Sequence, residues 1–222
     1  GAVGYLHKTT PKTLRLVGTD GFRLSYCDVQ VELEKDFLAK GVSLPKKALL
    51  ELYKLCQEPV ESVCLKISKD STAIAAEIEG VEIYMMLSSI KYPAYQGVLP
   101  RDLPINMDLS RSLLQTVTKR ILIASDKTRA LQVKVGDREL TLSAKAVGAS
   151  EGRETIQVPE YNGQECQLAV NGKFLSEVFS ATICEKVKVS LKDSEYPISI
   201  TPCEEPNGCY SQHVLVPIKE HE

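Results

Sequence analysis

Apolar residues fall at helical spacing in Leu44-Pro-Lys-Lys-Ala-Leu-Leu-Glu-Leu-Tyr-Lys-Leu55, and the segment behind it, VCLKISKDSTAIAAEI, alternates apolar and polar residues around a Lys-Asp-Ser turn. The first pattern predicts an amphipathic helix and the second a pair of antiparallel strands. The same order recurs twice. Residues 107–124 (MDLSRSLLQTVTKRILIA) lead to LQVKVGDRELTLSAK with a Gly-Asp turn, and residues 170–184 (VNGKFLSEVFSATIC) lead to KVKVSLKDSEYPISITP with another Lys-Asp-Ser turn. Lys47, Arg111 and Lys173 hold equivalent places at spacings of 64 and 62 residues, and Leu49, Leu113 and Leu175 each follow by two. Repetition on such a period makes each unit one supersecondary element, whose helix must cover the apolar face of its strands. Toward the amino end, TLRLVGTDGFRLSYC predicts a further hairpin around Asp20-Gly21 with no helix before it, so the sequence is expected to begin inside a repeat.

Two helix–meander units make a domain of ordinary size with paired helices on one sheet face. The expected fold class is therefore α+β, built from repeated helix plus antiparallel-strand meander units. The boundary is expected near Leu103-Pro104, giving an amino-terminally incomplete domain over 1–103 and a complete one over 104–222.

Composition changes this picture little. With 43% hydrophobic and 25% charged residues, the chain has the make-up of an ordinary globular protein. No apolar run is long enough to span a membrane, and the amino end lacks a signal-peptide layout, so a cytoplasmic protein without membrane contact is expected. Seven cysteines without a CxxC pair are expected to be reduced and mostly buried. A net charge of −2 gives no global sign of nucleic-acid binding, so any such contact must come from local segregation. That segregation exists: the predicted helices at 45–57, 110–124 and 171–184 carry +2, +3 and 0, leaving −7 on the rest of the chain.

Four separated motifs carry a resemblance. Thr19-Asp20-Gly21-Phe22-Arg23-Leu24, Leu44-Pro45-Lys46-Lys47, the pair Tyr92-Pro93-Ala94-Tyr95 and Val98-Leu99-Pro100, and Val214-Leu215-Val216-Pro217-Ile218-Lys219 resemble, in order, segments of the bacterial sliding clamp family. This family is the beta subunit of the replicative DNA polymerase III. The resemblance covers essentially the whole chain and implies a DNA-clamp fold lacking the family's first domain and the start of its middle one. Departures are Gly97 where an arginine is common, Phe22 where histidine is frequent, and the residues His221 and Glu222 after Glu220.

What the resemblance implies is a processivity factor, not an enzyme: a ring, a homodimer when full length, that encircles duplex DNA without reading its sequence. Lys46, Lys47, Arg111, Lys119, Arg120 and Lys173 are the implied DNA-facing residues, and Leu122 and Ile123 the implied subunit-interface anchors. The implied partners are the DNA polymerase III catalytic subunit, the clamp loader and repair polymerases, which dock through short linear motifs. Their expected site is an apolar cleft between the domains. Leu24, Pro93, Val98, Val214, Val216, Pro217 and Ile218 would form its apolar walls, Thr19, Gly21 and Arg23 would offer donors to a peptide backbone or a glutamine side chain, Pro197 would match its remaining edge, and Phe22 belongs to the same site.

Other readings of the same residues stay open. Asp20-Gly21 needs no function beyond a turn, and HVLVPIKEHE reads equally as a last strand. Cys203-x5-Cys209-x3-His213, with His221 nearby, invites a zinc site on a duplicated α+β scaffold, although its spacing is unusual. Glu51 and Glu177 recur at matching repeat positions and are expected to support Lys47 and Lys173 by i, i+4 pairing. No glycine-rich phosphate loop or nucleophile motif occurs, so no catalytic residue, metal or cofactor is expected. The alternatives are a metal-binding protein on this scaffold or a clamp-like adaptor that does not encircle DNA.

Overall fold

The computed structural model of the chain describes residues 3–33, 38, 40–57, 60–146, 151–161, 163–205 and 208–219. They form two units, Gly1–Gly21 with Tyr26–Tyr95, and Phe22–Ser25 with Gln96–Glu222. Residues 96–103, assigned from sequence to the first domain, group with the second unit.

The first unit contains β1 (Val3–Thr10), β2 (Thr13–Thr19), most of β3 (Arg23–Gln30), β4 (Val42–Pro45), α1 (Lys46–Leu55), β5 (Cys64–Ile67), β6 (Ala73–Ile78) and β7 (Val81–Met86). One sheet runs β4-β1-β2-β3 and another β5-β6-β7. Period-two alternation sets the register: Leu6 of β1 lies opposite Leu16 of β2 on one side and Val42 of β4 on the other. Ala48, Leu49 and Leu52 lean on a core of Leu6, Leu44, Ile74, Ala76 and Met85. Yet α1 buries no residue fully, and Leu50 and Tyr53 stay exposed.

A ring stack braces this unit. Tyr5 lies 4.9 Å from His7 and 4.8 Å from Tyr92 between ring centroids, and His7 Nε2 is 2.7 Å from the Tyr95 hydroxyl. Beside it, Arg15 makes a two-pronged bond to Asp28 at 2.6 Å and 2.6 Å while its guanidinium lies over Tyr26. Such bidentate pairing is the strong form of an ion pair, and it holds the Arg15 pKa above its usual range.

The second unit contains β8 (Ile105–Ser110), α2 (Arg111–Ile123), β9 (Ala130–Gly136), β10 (Glu139–Lys145), β11 (Glu151–Gln157), β12 (Cys166–Asn171), α3 (Gly172–Ala181), β13 (Lys186–Leu191), β14 (Ile198–Pro202) and β15 (Cys209–Leu215). Its sheets run β11-β10-β9-β12 and β15-β14-β13-β8. Side-chain caps start both helices: Ser110 Oγ accepts from the Leu113 N–H, and Asn171 Oδ1 from those of Lys173 and Phe174. Leu114, Val117 and Ile121 of α2 meet Leu175, Val178 and Phe179 of α3 in one buried cluster, at about 1.5–3 kcal/mol of burial per large aliphatic side chain. The helices pack so closely that a Cβ on Gly172 would lie 2.7 Å from Leu122 Cδ2.

The repeat is thus confirmed in outline and altered in detail. A strand runs directly into each of α1, α2 and α3 (β4, β8, β12), so Pro45, Ser110 and Asn171, the first residues of the expected helices, are extended. Each meander has three strands rather than two. The added strand of the middle repeat, β11, is hidden from sequence because only Ile156 along it is buried. The helices also stop short of their expected ends, α3 at Ala181 rather than Cys184.

Candidate functional site

Behind β15 the chain enters Val216-Pro217-Ile218-Lys219. Pro217 has no N–H to continue a ladder, so the segment leaves the sheet and is held at two points. The Val216 N–H donates to the Phe22 carbonyl at 3.0 Å, and the Ile218 N–H to the Ala169 carbonyl at 2.8 Å. A groove of about 420 Å3 results, lined by residues 216–219 together with Gln132, Gln167, Leu168, Ala169, Ser194 and Glu195. That volume lies in the range of small-ligand and peptide pockets, and apolar walls alternate here with amide and hydroxyl groups. Phe22 (68% exposed), Val98 (57%) and Val216 (46%) present apolar surface in this unit, whereas Leu24 and Val214 are buried in its core. Pro197 and Ile218 are half-buried and Pro217 is buried.

Arg23, at the start of β3, is held by two residues of α3. Its guanidinium lies 4.1 Å from the Phe174 ring centroid, and Nη1 donates to Glu177 Oε2. Spacing of three places Phe174 and Glu177 on one helix face, so a single planar cation meets both. Glu177 also stands 4.0 Å from Lys173, so the expected i, i+4 pair exists but is shared. The corresponding expectation at Glu51 is corrected: Glu51 pairs with Lys54 at 2.9 Å rather than with Lys47. Phe174 is absent from the sequence-based site because its spacing marks it only as a core helix position.

His213 is buried, with Nδ1 2.8 Å from Ser25 Oγ and Nε2 3.2 Å from Thr182 Oγ1. Both ring nitrogens are thereby engaged by hydroxyls, and burial pushes the pKa down to about 4. Among the described residues no group of three or more histidine, cysteine or acidic side chains is placed to hold a metal ion; His221 lies outside them. In the first unit, Thr19 Oγ1 accepts the Gly21 N–H at 3.2 Å, and Gly21 adopts φ +91°, so Thr19-Asp20-Gly21 forms the turn its sequence requires. Pro93 is exposed in that unit.

The six basic candidates divide. Lys46, Lys47, Lys119 and Lys173 are exposed on their helices. Arg111 turns inward, donating to the Cys184 carbonyl at 3.0 Å and the Phe179 carbonyl at 3.2 Å, where it satisfies acceptors left over at the end of α3. Arg120 reaches Glu154 of β11 at 2.7 Å. Of the two interface candidates, Leu122 is half-buried against α3 and Ile123 is 85% exposed. Among the described residues no helix is long and apolar enough to cross a membrane.

Residues 3–94 match the family described as DNA polymerase III beta subunit, central domain, and residues 96–219 match the C-terminal domain of the same subunit. The beta sliding clamp of Vibrio cholerae is 26% identical over 217 residues, covering 97% of this chain and 57% of its own. That of Chlamydia pneumoniae is 28% identical over 208 residues, covering 93% and 54%. The Pseudomonas aeruginosa sliding clamp bound to griselimycin superposes with a TM-score of 0.86 at 26% identity, over 98% of this chain and 57% of that one. The chain spans little more than half the length of the relatives it matches.

Proposed function

Because this chain belongs to the DNA polymerase III beta subunit family, across its central and C-terminal domains, we propose that it works as part of a sliding clamp that tethers polymerases to duplex DNA and recruits them by their short peptide motifs. It acts by binding rather than by bond chemistry, in the cytoplasm of a bacterium. The observation that carries the peptide reading is the groove along residues 216–219, where an apolar tail is fixed by backbone hydrogen bonds and flanked by Gln132, Gln167 and Ser194. An extended peptide can lay a bulky apolar anchor there and bond its backbone to the polar rim. The Pseudomonas aeruginosa clamp with griselimycin bound supports ligand capacity in that relative.

The DNA reading rests on Lys46, Lys47, Lys119 and Lys173, which present ammonium groups from three helices without any base-reading element. Arg111 contributes by fixing α3 rather than by facing phosphate. Assembly into a two-subunit ring, head to tail, rests on Ile123, whose side chain no fold requirement explains. A clamp-like adaptor that does not encircle DNA is distinguished by salt: the clamp reading requires weak, sequence-independent duplex affinity that declines with salt as counterions are released.

The deciding experiment is calorimetric titration of a glutamine-leucine-x-leucine-phenylalanine peptide into the chain. Saturable binding near micromolar strength, about −8 kcal/mol, is expected. Ile218→Glu, and removal of residues 216–222 with the buried Val214 and Leu215 left in place, should each abolish it. Absence of binding to the parent, or binding unchanged by both alterations, refutes the peptide reading.

A further inference from the structure

The sequence predicts reduced and mostly buried cysteines, yet Cys203 is exposed and Cys184 is half-buried. The β13–β14 ladder brings these two together. Val187 lies opposite Pro202, so Cys203 comes opposite Lys186, whose carbonyl accepts the Cys203 N–H at 3.0 Å. The Cys184 thiol folds back and donates to that same oxygen, also at 3.0 Å. Two donors on one acceptor are neighbours, and the Cys203 N–H also faces the Cys184 sulfur. Rotation about the Cα–Cβ bonds can close the remaining separation to a disulfide. Closure orphans no acceptor, because the Lys186 carbonyl gives up the thiol proton and keeps the Cys203 N–H.

We propose that Cys184 and Cys203 form an oxidation site, which a peroxide converts into an intrachain disulfide that braces the corner where α3 ends. This inference stands apart from the peptide-binding reading. The exposed Cys203 reacts first: its sulfur, having lost its proton, attacks one peroxide oxygen, the O–O bond breaks, and the departing oxygen takes that proton and leaves as water. Cys203 is then a sulfenic acid. The Cys184 sulfur attacks the Cys203 sulfur, an S–S bond forms, and the hydroxyl leaves with the Cys184 proton as a second water. Two thiols have lost two electrons to one peroxide. Desolvation, joined at Cys203 by the Asp108 carboxylate, holds both thiols above their usual pKa, so they rest protonated and the disulfide answers sustained rather than fleeting oxidant. Arg111 already donates to the Cys184 and Phe179 carbonyls at this corner, and the new bond adds the end of β14 to the same point. The loop it closes is about 20 residues long, enough to restrict the unfolded chain.

The test exposes the parent chain, Cys184→Ser and Cys203→Ser to hydrogen peroxide, alkylates the thiols that remain, and maps fragments by mass spectrometry before and after dithiothreitol. A linked fragment pair containing Cys184 and Cys203, separated by dithiothreitol, is expected in the parent and in neither variant. The thermal midpoint of the oxidised parent should rise by about 5 °C and return on reduction. The link is read in the parent, so a variant that fails to fold does not weaken the result. Both thiols still alkylated after peroxide, Cys203 bonded to Cys209 instead, or Cys203 carried on to sulfinic acid would each overturn the pair. A link that forms without raising the midpoint overturns the brace.

Discussion

Acidification should cost this protein about 3 kcal/mol through His213 alone. The imidazole is buried between Ser25 and Thr182, and its pKa drops from 6.5 to about 4 because the charged form loses its hydration. A folded-state pKa below the unfolded value means that the unfolded chain binds the extra proton first. Stability is therefore complete above pH 6.5, declines through the window down to about pH 4, and is flat with respect to this group below it. At about 1.4 kcal/mol per pH unit, that window corresponds to about 3 kcal/mol. Urea midpoints measured across the range for the parent and for His213→Gln isolate the effect, since carboxylate titrations are common to both proteins. The parent should be the more stable at neutral pH, and the gap should close by about 3 kcal/mol by the lower end of the window. Parallel pH profiles would refute the burial argument.

Thr118 is fully buried on α2 and its hydroxyl has no hydrogen-bond partner, so Thr118→Val should raise stability by about 1 kcal/mol in the same urea assay; a loss would show that the hydroxyl is satisfied. Arg111→Met leaves the Phe179 and Cys184 carbonyls without their donor and should destabilise the second unit by about 1–3 kcal/mol. By contrast, Lys119→Glu should leave stability within about 0.5 kcal/mol. Its effect should instead appear at low salt, as weaker duplex DNA binding regardless of sequence and a shallower salt dependence. Reversal of these two outcomes would exchange the roles assigned to Arg111 and Lys119.

The elements legible in the sequence are those whose signal is local. Leu44–Leu55 and its two counterparts announce helices because apolar side chains recur at 3.6-residue spacing, and Asp20-Gly21 announces a turn because Gly21 needs positive φ. Strand β11 escapes because Glu151, Arg153 and Glu154 give it a charged surface with little alternation to detect. The tail Val216–Ile218 stands out as an apolar terminal segment interrupted by proline, and the groove runs along it. Contacts that join distant parts of the chain leave no such trace. Arg23 and Glu177 are 154 residues apart, and Ser25 and His213 are 188 apart. The spacing of Cys203, Cys209 and His213 therefore suggests a metal, whereas the imidazole is committed to two hydroxyls. Arg111 carries the charge expected of a phosphate contact, and only the position of the α3 carboxyl-terminal end shows where that charge is used.

The stacked rings of the first unit give the molecule an optical label. There is no tryptophan, and of nine tyrosines six (Tyr5, Tyr26, Tyr53, Tyr84, Tyr92 and Tyr95) belong to that unit. Tyr5 and Tyr92 are stacked at 13°, and their contribution to circular dichroism near 280 nm should fall when their mutual orientation is lost. Melting followed at that wavelength therefore weights the first unit over the second, which contributes through Tyr161, Tyr196 and Tyr210, while far-ultraviolet dichroism records both. A difference between the two midpoints would measure how independently each half of the chain comes apart.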